Sequence, residues 1–267
     1  WRARRSAVSC CMCGMMWFLL FGCYRRSSVM DAAFVGRLPP FARTSWRTTC
    51  RAAESSHRVL LGSRGSIAVP KLPNFLEEGN QSGADLRFEV VYIGTAKTAP
   101  RADSLRPLKE QRKKRRWEAR RKARELSETL NNARWSALFL EDYHDKANKL
   151  AKDIVRGFSK PKALDIAQRV LIVDGGNTYW LWYHAQKAGL QEALGVVKAE
   201  RPFMYFGLSA GAILAGRTCR TADWKGWDDP SVVPSDAMTT HLEGLSLVDA
   251  AIFAHHGPEW EDLVQKS

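Results

Sequence analysis

The sequence predicts an open α/β fold: a parallel sheet with helices on both faces, a three-layer α/β/α sandwich. Three observations carry this expectation. From about residue 57 onward, short apolar runs alternate with segments of helical length, the chain order that builds parallel strands joined by crossover helices. The run Val90-Val91-Tyr92-Ile93 is apolar without alternation, as suits a strand covered on both faces. Two apolar runs end in glycine turns that lead straight into helices, at Gly175-Gly176 and at Gly207-Leu208-Ser209-Ala210-Gly211.

In chain order, residues 57–61 form the first expected strand, ending at Gly62-Ser63-Arg64-Gly65, and residues 72–78 a short helix. Residues 87–95 are the second strand. Residues 108–131 form a long basic helix in which Ala119, Ala123, Leu126 and Leu130 fall at i, i+4, i+7 and i+11, one apolar stripe for docking. A strand follows at 135–140, then helical material through Phe158. The strand at 167–174 is broken by Gly175-Gly176-Asn177-Thr178. Residues 179–187 are the helix after it, with Gly189 capping its end, and 191–199 a further helix. The strand at 203–206 enters the second glycine turn, 212–215 opens its helix, and 248–254 reads as the next strand along.

Hydrophobic residues make up 45% of the 267, with ten tryptophans, which excludes a disordered chain. The net charge of +13 is unevenly spread. Residues 1–56 hold nine Arg, no Lys and two acids, a net of +7, and residues 106–124 a net of +9, leaving −3 for the rest. The excess therefore sits on two appendages, and no nucleic-acid partner is expected. No aromatic or Gly-rich RNA-binding motif accompanies the basic helix, so it reads as a solvated surface helix.

Residues 1–56 read as a basic targeting or disordered leader, and 57–267 as the α/β domain. The apolar run at 10–23 is too short for a membrane span. The Arg-, Ser- and Thr-rich stretch after it resembles a transit peptide. The expected location is the cytoplasm or an organelle, plastid or mitochondrion. Five of the six cysteines lie in the first 50 residues and only Cys219 in the domain, which fits a reducing compartment. The Cys10-Cys11-Met12-Cys13 cluster matches no zinc spacing and has no His nearby, so neither metal nor cofactor is expected.

Gly-x-Ser-x-Gly at a strand-to-helix junction holds a serine in a sharp turn with its hydroxyl exposed. The helix that begins there turns its N–H groups and positive dipole end toward Ser209, which suits a developing oxyanion. Such a serine needs a base, an acid that orients the base, and N–H donors. Gly175, Gly176 and Ala210 offer the donors. His57, His144, His184, His241, His255 and His256 are the candidate bases, and the last two end an apolar run whose strand end can face Ser209. Both glycine turns lie at the carboxyl ends of their strands, where open α/β sheets gather their chemistry.

Together these residues resemble the peptidase E family, the aspartyl dipeptidases, with cyanophycinase as a more distant relative. The matching segments are Val-Tyr-Ile-Gly-Thr-Ala (91–96), Val-Asp-Gly-Gly-Asn-Thr (173–178), Tyr-Phe-Gly-Leu-Ser-Ala-Gly-Ala (205–212), Thr-Cys-Arg-Thr-Ala-Asp (218–223) and Leu-Ser-Leu…Ile-Phe-Ala-His (245–255). The resemblance implies a sandwich of the class I glutamine-amidotransferase-like type, flavodoxin-like in layout. It also implies a serine that attacks the peptide bond after an N-terminal aspartate in a small peptide. By position it makes Ser209 the nucleophile, His255 the base and Asp223 the nearest match to the acid, with Gly175, Gly176, Asn177 and Ala210 around the oxyanion and substrate. A cation for the aspartate side chain is expected from Arg220 or Lys225.

The chain departs from that family at three points. Ala254-His255-His256 replaces the family's Pro-His-Tyr or Pro-His-Phe, which makes His256 a rival base. The insert at 224–230 adds Asp228 and Asp229 as rival acids. The sequence also stops 12 residues past His255, where the family continues with further strand and helix, so a carboxylate beyond that point is another alternative for the acid. Two other readings stand beside the peptidase. An α/β-hydrolase esterase would use the same elbow but expects an early His-Gly-Gly loop, which this sequence lacks. A non-catalytic basic protein would bind through residues 108–124.

Overall fold

The computed structural model describes residues 32–36, 59–63, 87–101, 104, 106–130, 133–158, 167–239 and 241–266. The strands are β1 (Ala32–Gly36), β2 (Val59–Gly62), β3 (Arg87–Ile93), β4 (Arg134–Leu138), β5 (Ala167–Val173), β6 (Met204–Leu208) and β7 (Ala251–His256). The helices are α1 (Leu108–Glu128), α2 (Ala147–Gly157), α3 (Thr178–Lys187), α4 (Leu190–Glu200), α5 (Ala210–Ala215), α6 (Thr221–Lys225) and α7 (Glu261–Lys266). The helix expected at 72–78, His57 and the cysteines at 10–23 lie outside the described residues.

Five strands pair in parallel in the order β2-β6-β5-β3-β4. Side chains of a strand alternate between faces, and here each face is covered. Val91, Ile93, Leu171, Val173 and Tyr205 join a core with α2, α3, α4 and α5. Val90, Tyr92, Val170, Ile172, Met204 and Phe206 join a second core on the opposite face. The stripe of α1, Ala119, Ala123 and Leu126, with Leu130 just past the end of the helix at Glu128, closes that second core. The chain is thus an α/β protein with a three-layer arrangement, and the unbroken apolar run of β3 follows from having helices on both sides.

Turn chemistry sets the element ends. Gly189 sits at φ 62 between α3 and α4, and its N–H donates to the Gln186 carbonyl at 3.0 Å, the expected left-handed helix stop. The strand expected at 135–140 ends at Leu138, and Leu140–Asp142 is a short 3₁₀ turn instead. The Leu140 N–H donates to Thr95 Oγ1 at 2.8 Å, which draws the chain out of the ladder.

The strand expected at 248–254 is shifted and differently partnered. It spans Ala251–His256 and lies outside the parallel sheet, in a two-stranded antiparallel pair with β1, where Phe34 opposes Phe253 and Ala32 opposes His256. Both sides of β6 are already occupied, by β2 and β5, so no place beside it remains. β7 packs instead on α5 and α6. Among the described residues no helix is long and apolar enough to cross a membrane.

Candidate active site

β6 is buried throughout and delivers Ser209 to the carboxyl edge of the sheet. Ser209 has φ 50 and ψ −109, a conformation that costs a non-glycine residue about 1–3 kcal/mol. Its neighbours impose that geometry. A Cβ on Gly207 would stand 2.6 Å from the Gly211 carbonyl oxygen, and one on Gly211 would stand 2.0 Å from that of Val173. The Ser209 N–H donates to Gly62 O at 2.8 Å, and Ser209 O accepts from Ala212 N at 2.8 Å and Ile213 N at 3.0 Å.

His255, near the end of β7, also has a left-handed backbone, φ 56. Its Nε2 lies 2.8 Å from Ser209 Oγ, and its N–H donates to Ser63 Oγ at 3.2 Å. The end of β2 therefore holds both residues, through Gly62 and Ser63. Ser63 is a positioning contact that the sequence reading passed over; its signal is the glycine-flanked turn at a strand end. Trp227 flanks the imidazole with ring centroids 5.8 Å apart.

The turn after β5 completes the site. A Cβ on Gly175 would stand 2.8 Å from Ser209 Cβ, so that backbone lies directly against the serine. Gly176 has φ 144, and a Cβ there would meet Ala96 O at 2.3 Å. The Gly175 N–H is held by Asp174 Oδ1 at 2.7 Å. The N–H groups of Gly176 and Ala210 donate to no acceptor among the described residues. Asn177 caps α3, its Oδ1 accepting from Trp180 N at 2.8 Å, while its Nδ2 donates to Asp229 O at 2.9 Å.

Asp174 is buried and was not foreseen. Besides Gly175 N it accepts from the Tyr92 hydroxyl and pairs with Lys97 Nζ at 3.1 Å. Burial, and then the Asp174 charge, push the Tyr92 phenol well above its ordinary range.

The three carboxylates considered for the acid gather around the start of α3. Asp223 Oδ1 accepts from the Tyr179 hydroxyl, whose ionisation is pushed up by burial and then by this bond. Asp228 Oδ2 accepts from Thr178 N at 2.8 Å. Asp229 Oδ1 accepts from Ser231 N at 2.9 Å. Of the adjacent histidines it is His255 that meets Ser209; His256 Nε2 lies 3.5 Å from Glu261 Oε2. His144 Nε2 and His184 Nδ1 pair with each other at 2.6 Å. Arg220 stands exposed ahead of α6, and the Lys225 ammonium donates to the His255 carbonyl. Among the described residues no group of three or more His, Cys, Asp or Glu is placed to hold a metal ion.

A hydroxyl hydrogen-bonded to an imidazole can lose its proton to it. Donors without acceptors at a helix start and an adjacent glycine turn can receive the negative charge that follows.

Residues 144–266 match the profile described as Peptidase family S51. This segment is similar to peptidase family S51. It contains Gly175 to Asn177, Ser209, Asp223 and His255, and it agrees with the resemblance read from the motifs. The match to S51 supports a peptidase, hence a hydrolase. No curated protein matches the chain. Nine solved chains match it, among them these two. One is of a candidate peptidase E protein from Listeria monocytogenes, with 20% identity, a TM-score of 0.46, and coverage of 79% of this chain and 85% of that one. The other is of a peptidase from an acI-B1 Actinobacterium, with 15% identity and a TM-score of 0.37, covering 72% of this chain and 64% of that one.

Proposed function

We propose that the chain is a serine exopeptidase, a dipeptidase that hydrolyses small peptides with an N-terminal Asp and needs no cofactor. The observation that carries the serine mechanism is the 2.8 Å contact between Ser209 Oγ and His255 Nε2 at the carboxyl edge of the sheet. Substrate size and the Asp preference follow from the family resemblance.

In this reading His255 Nε2 takes the Ser209 proton as Oγ attacks the carbonyl carbon after the first residue. The oxyanion forms against the N–H groups of Gly176 and Ala210. His255 then protonates the leaving amine, and a water deprotonated by the same imidazole releases the acyl group. Gly175 leaves room for the scissile carbonyl beside Ser209. Asn177 holds the turn in shape by capping α3.

Release of p-nitroaniline from an Asp-p-nitroanilide tests the proposal. Ser209→Ala should lower kcat by about 10⁶, as loss of the nucleophile does in a triad enzyme. Turnover equal to that of the unaltered chain would end the serine reading.

A further inference from the structure

Lys225 ends α6 just before Gly226, which sits at φ 59. Its ammonium lies over three rings: 4.3 Å from the centroid of Trp227, 4.4 Å from Phe253 and 4.9 Å from Trp260. The rings brace one another edge to face, Trp227 against Trp260 at 5.8 Å and Phe253 against Trp260 at 6.1 Å. They come from three separate parts of the chain, so the cage exists only in the folded protein. Inside it Nζ donates to the carbonyl oxygen of His255.

That carbonyl belongs to a residue in the left-handed region, where a side chain with a Cβ is strained and persists only if its surroundings hold it. A charge-assisted bond to the carbonyl is one such hold. Three aromatic faces stabilise the cation that makes the bond and restrict where it can sit. On the far side, the His255 N–H is held by Ser63 Oγ at 3.2 Å. The peptide groups on both sides of the imidazole are thus fixed, one by a hydroxyl and one by a caged cation.

We propose that Lys225 is a positioning residue for the base: the cage fixes the ammonium, the ammonium fixes the His255 carbonyl, and the backbone so held aims Nε2 at Ser209. The proposal rests on the reading of Ser209 and His255 as nucleophile and base. It gives Lys225 a different task from holding the substrate's carboxylate, because the ammonium already has its acceptor and its three rings.

The test uses the full chain, unaltered and as Lys225→Met, Lys225→Arg and Trp227→Leu. Two quantities are read: kcat and KM on Asp-p-nitroanilide, and the rate at which a small fluorophosphonate modifies Ser209. Lys225→Met should lower kcat and the modification rate together by about 10- to 100-fold, the scale of a misplaced catalytic group, with KM within about threefold. Lys225→Arg should restore most of the loss, since a guanidinium can still donate to the carbonyl inside an aromatic cage. Trp227 is largely exposed, so Trp227→Leu opens one wall at little cost to folding. It should give a smaller loss of the same kind, and it carries the test if Lys225→Met does not fold.

A raised KM at unchanged kcat would overturn the proposal and make Lys225 a substrate contact. Modification of Lys225→Met at the unaltered rate would overturn it as well. An unaltered chain that is neither turned over nor modified would remove the serine reading itself, and this proposal with it.

Discussion

Gly175 has its backbone packed against Ser209: a methyl group on Gly175 would stand 2.8 Å from Ser209 Cβ and 3.1 Å from the Leu208 carbonyl oxygen. The turn after β5 and the elbow after β6 are therefore one surface, and neither can change shape without moving the other. Gly175→Ala presses on atoms that cannot swing aside. We expect kcat/KM to fall by about 100-fold, the scale of a 1 Å displacement at a reacting group. Overpacking should cost about 1–3 kcal/mol of stability. Steady-state kinetics and urea unfolding read the two effects separately.

Asp174 holds that turn from below. Asp174→Ala frees the Gly175 N–H, removes the counter-charge of Lys97 and leaves the buried Tyr92 hydroxyl without its carboxylate acceptor. An unpaired buried polar group costs about 1–3 kcal/mol. The urea midpoint should fall accordingly, and kcat should fall with it as the turn loosens. A variant as stable as the unaltered chain would contradict this role.

His184 makes stability depend on pH. Burial, and then the neighbouring His144, Arg112 and Arg116, push its pKa down to about 3. In the unfolded chain it protonates near 6.5. Between those values the unfolded state binds a proton that the folded state refuses, so stability falls as pH drops from about 6.5 toward 3. At pH 5 the loss should be about 2 kcal/mol relative to pH 7. Unfolding measured at both values should show it, and His184→Gln should flatten most of the dependence.

Asp223 ties α6 to α3 through the Tyr179 hydroxyl. With that as its main task, Asp223→Asn should lower kcat by only about tenfold, and Tyr179→Phe by a similar factor. A loss near 10⁴ from Asp223→Asn, with Tyr179→Phe unaffected, would instead give Asp223 the orienting part of a triad.

Features set by local sterics were legible in the sequence. Gly207, Ser209 and Gly211 announce an elbow because only glycine fits where the backbones of β5 and α5 meet it. The stripe of α1 announces a docked helix by its spacing, and the apolar run of β3 announces a sheet covered on both faces. Features set by distant partners were not legible. An apolar run such as 251–254 shows that a strand is buried but not which strand it pairs with, and β7 pairs with β1. The knot of Asp174, Lys97 and Tyr92 joins residues from three segments. Lys225 reads in sequence as a cation for the substrate's aspartate, because its rings, at positions 227, 253 and 260, come together only on folding. Nothing local marks His255 as left-handed, since the hold on its backbone comes from Ser63 and Lys225.

Deprotonation of Ser209 by His255 is tested most directly by fluorophosphonate modification read by mass spectrometry. A single adduct is expected, on the peptide containing Ser209, formed at least about 1,000-fold more slowly in His255→Ala, within the range that a positioned base contributes. Modification at the same rate in His255→Ala, or an adduct elsewhere with Ser209 untouched, would contradict it.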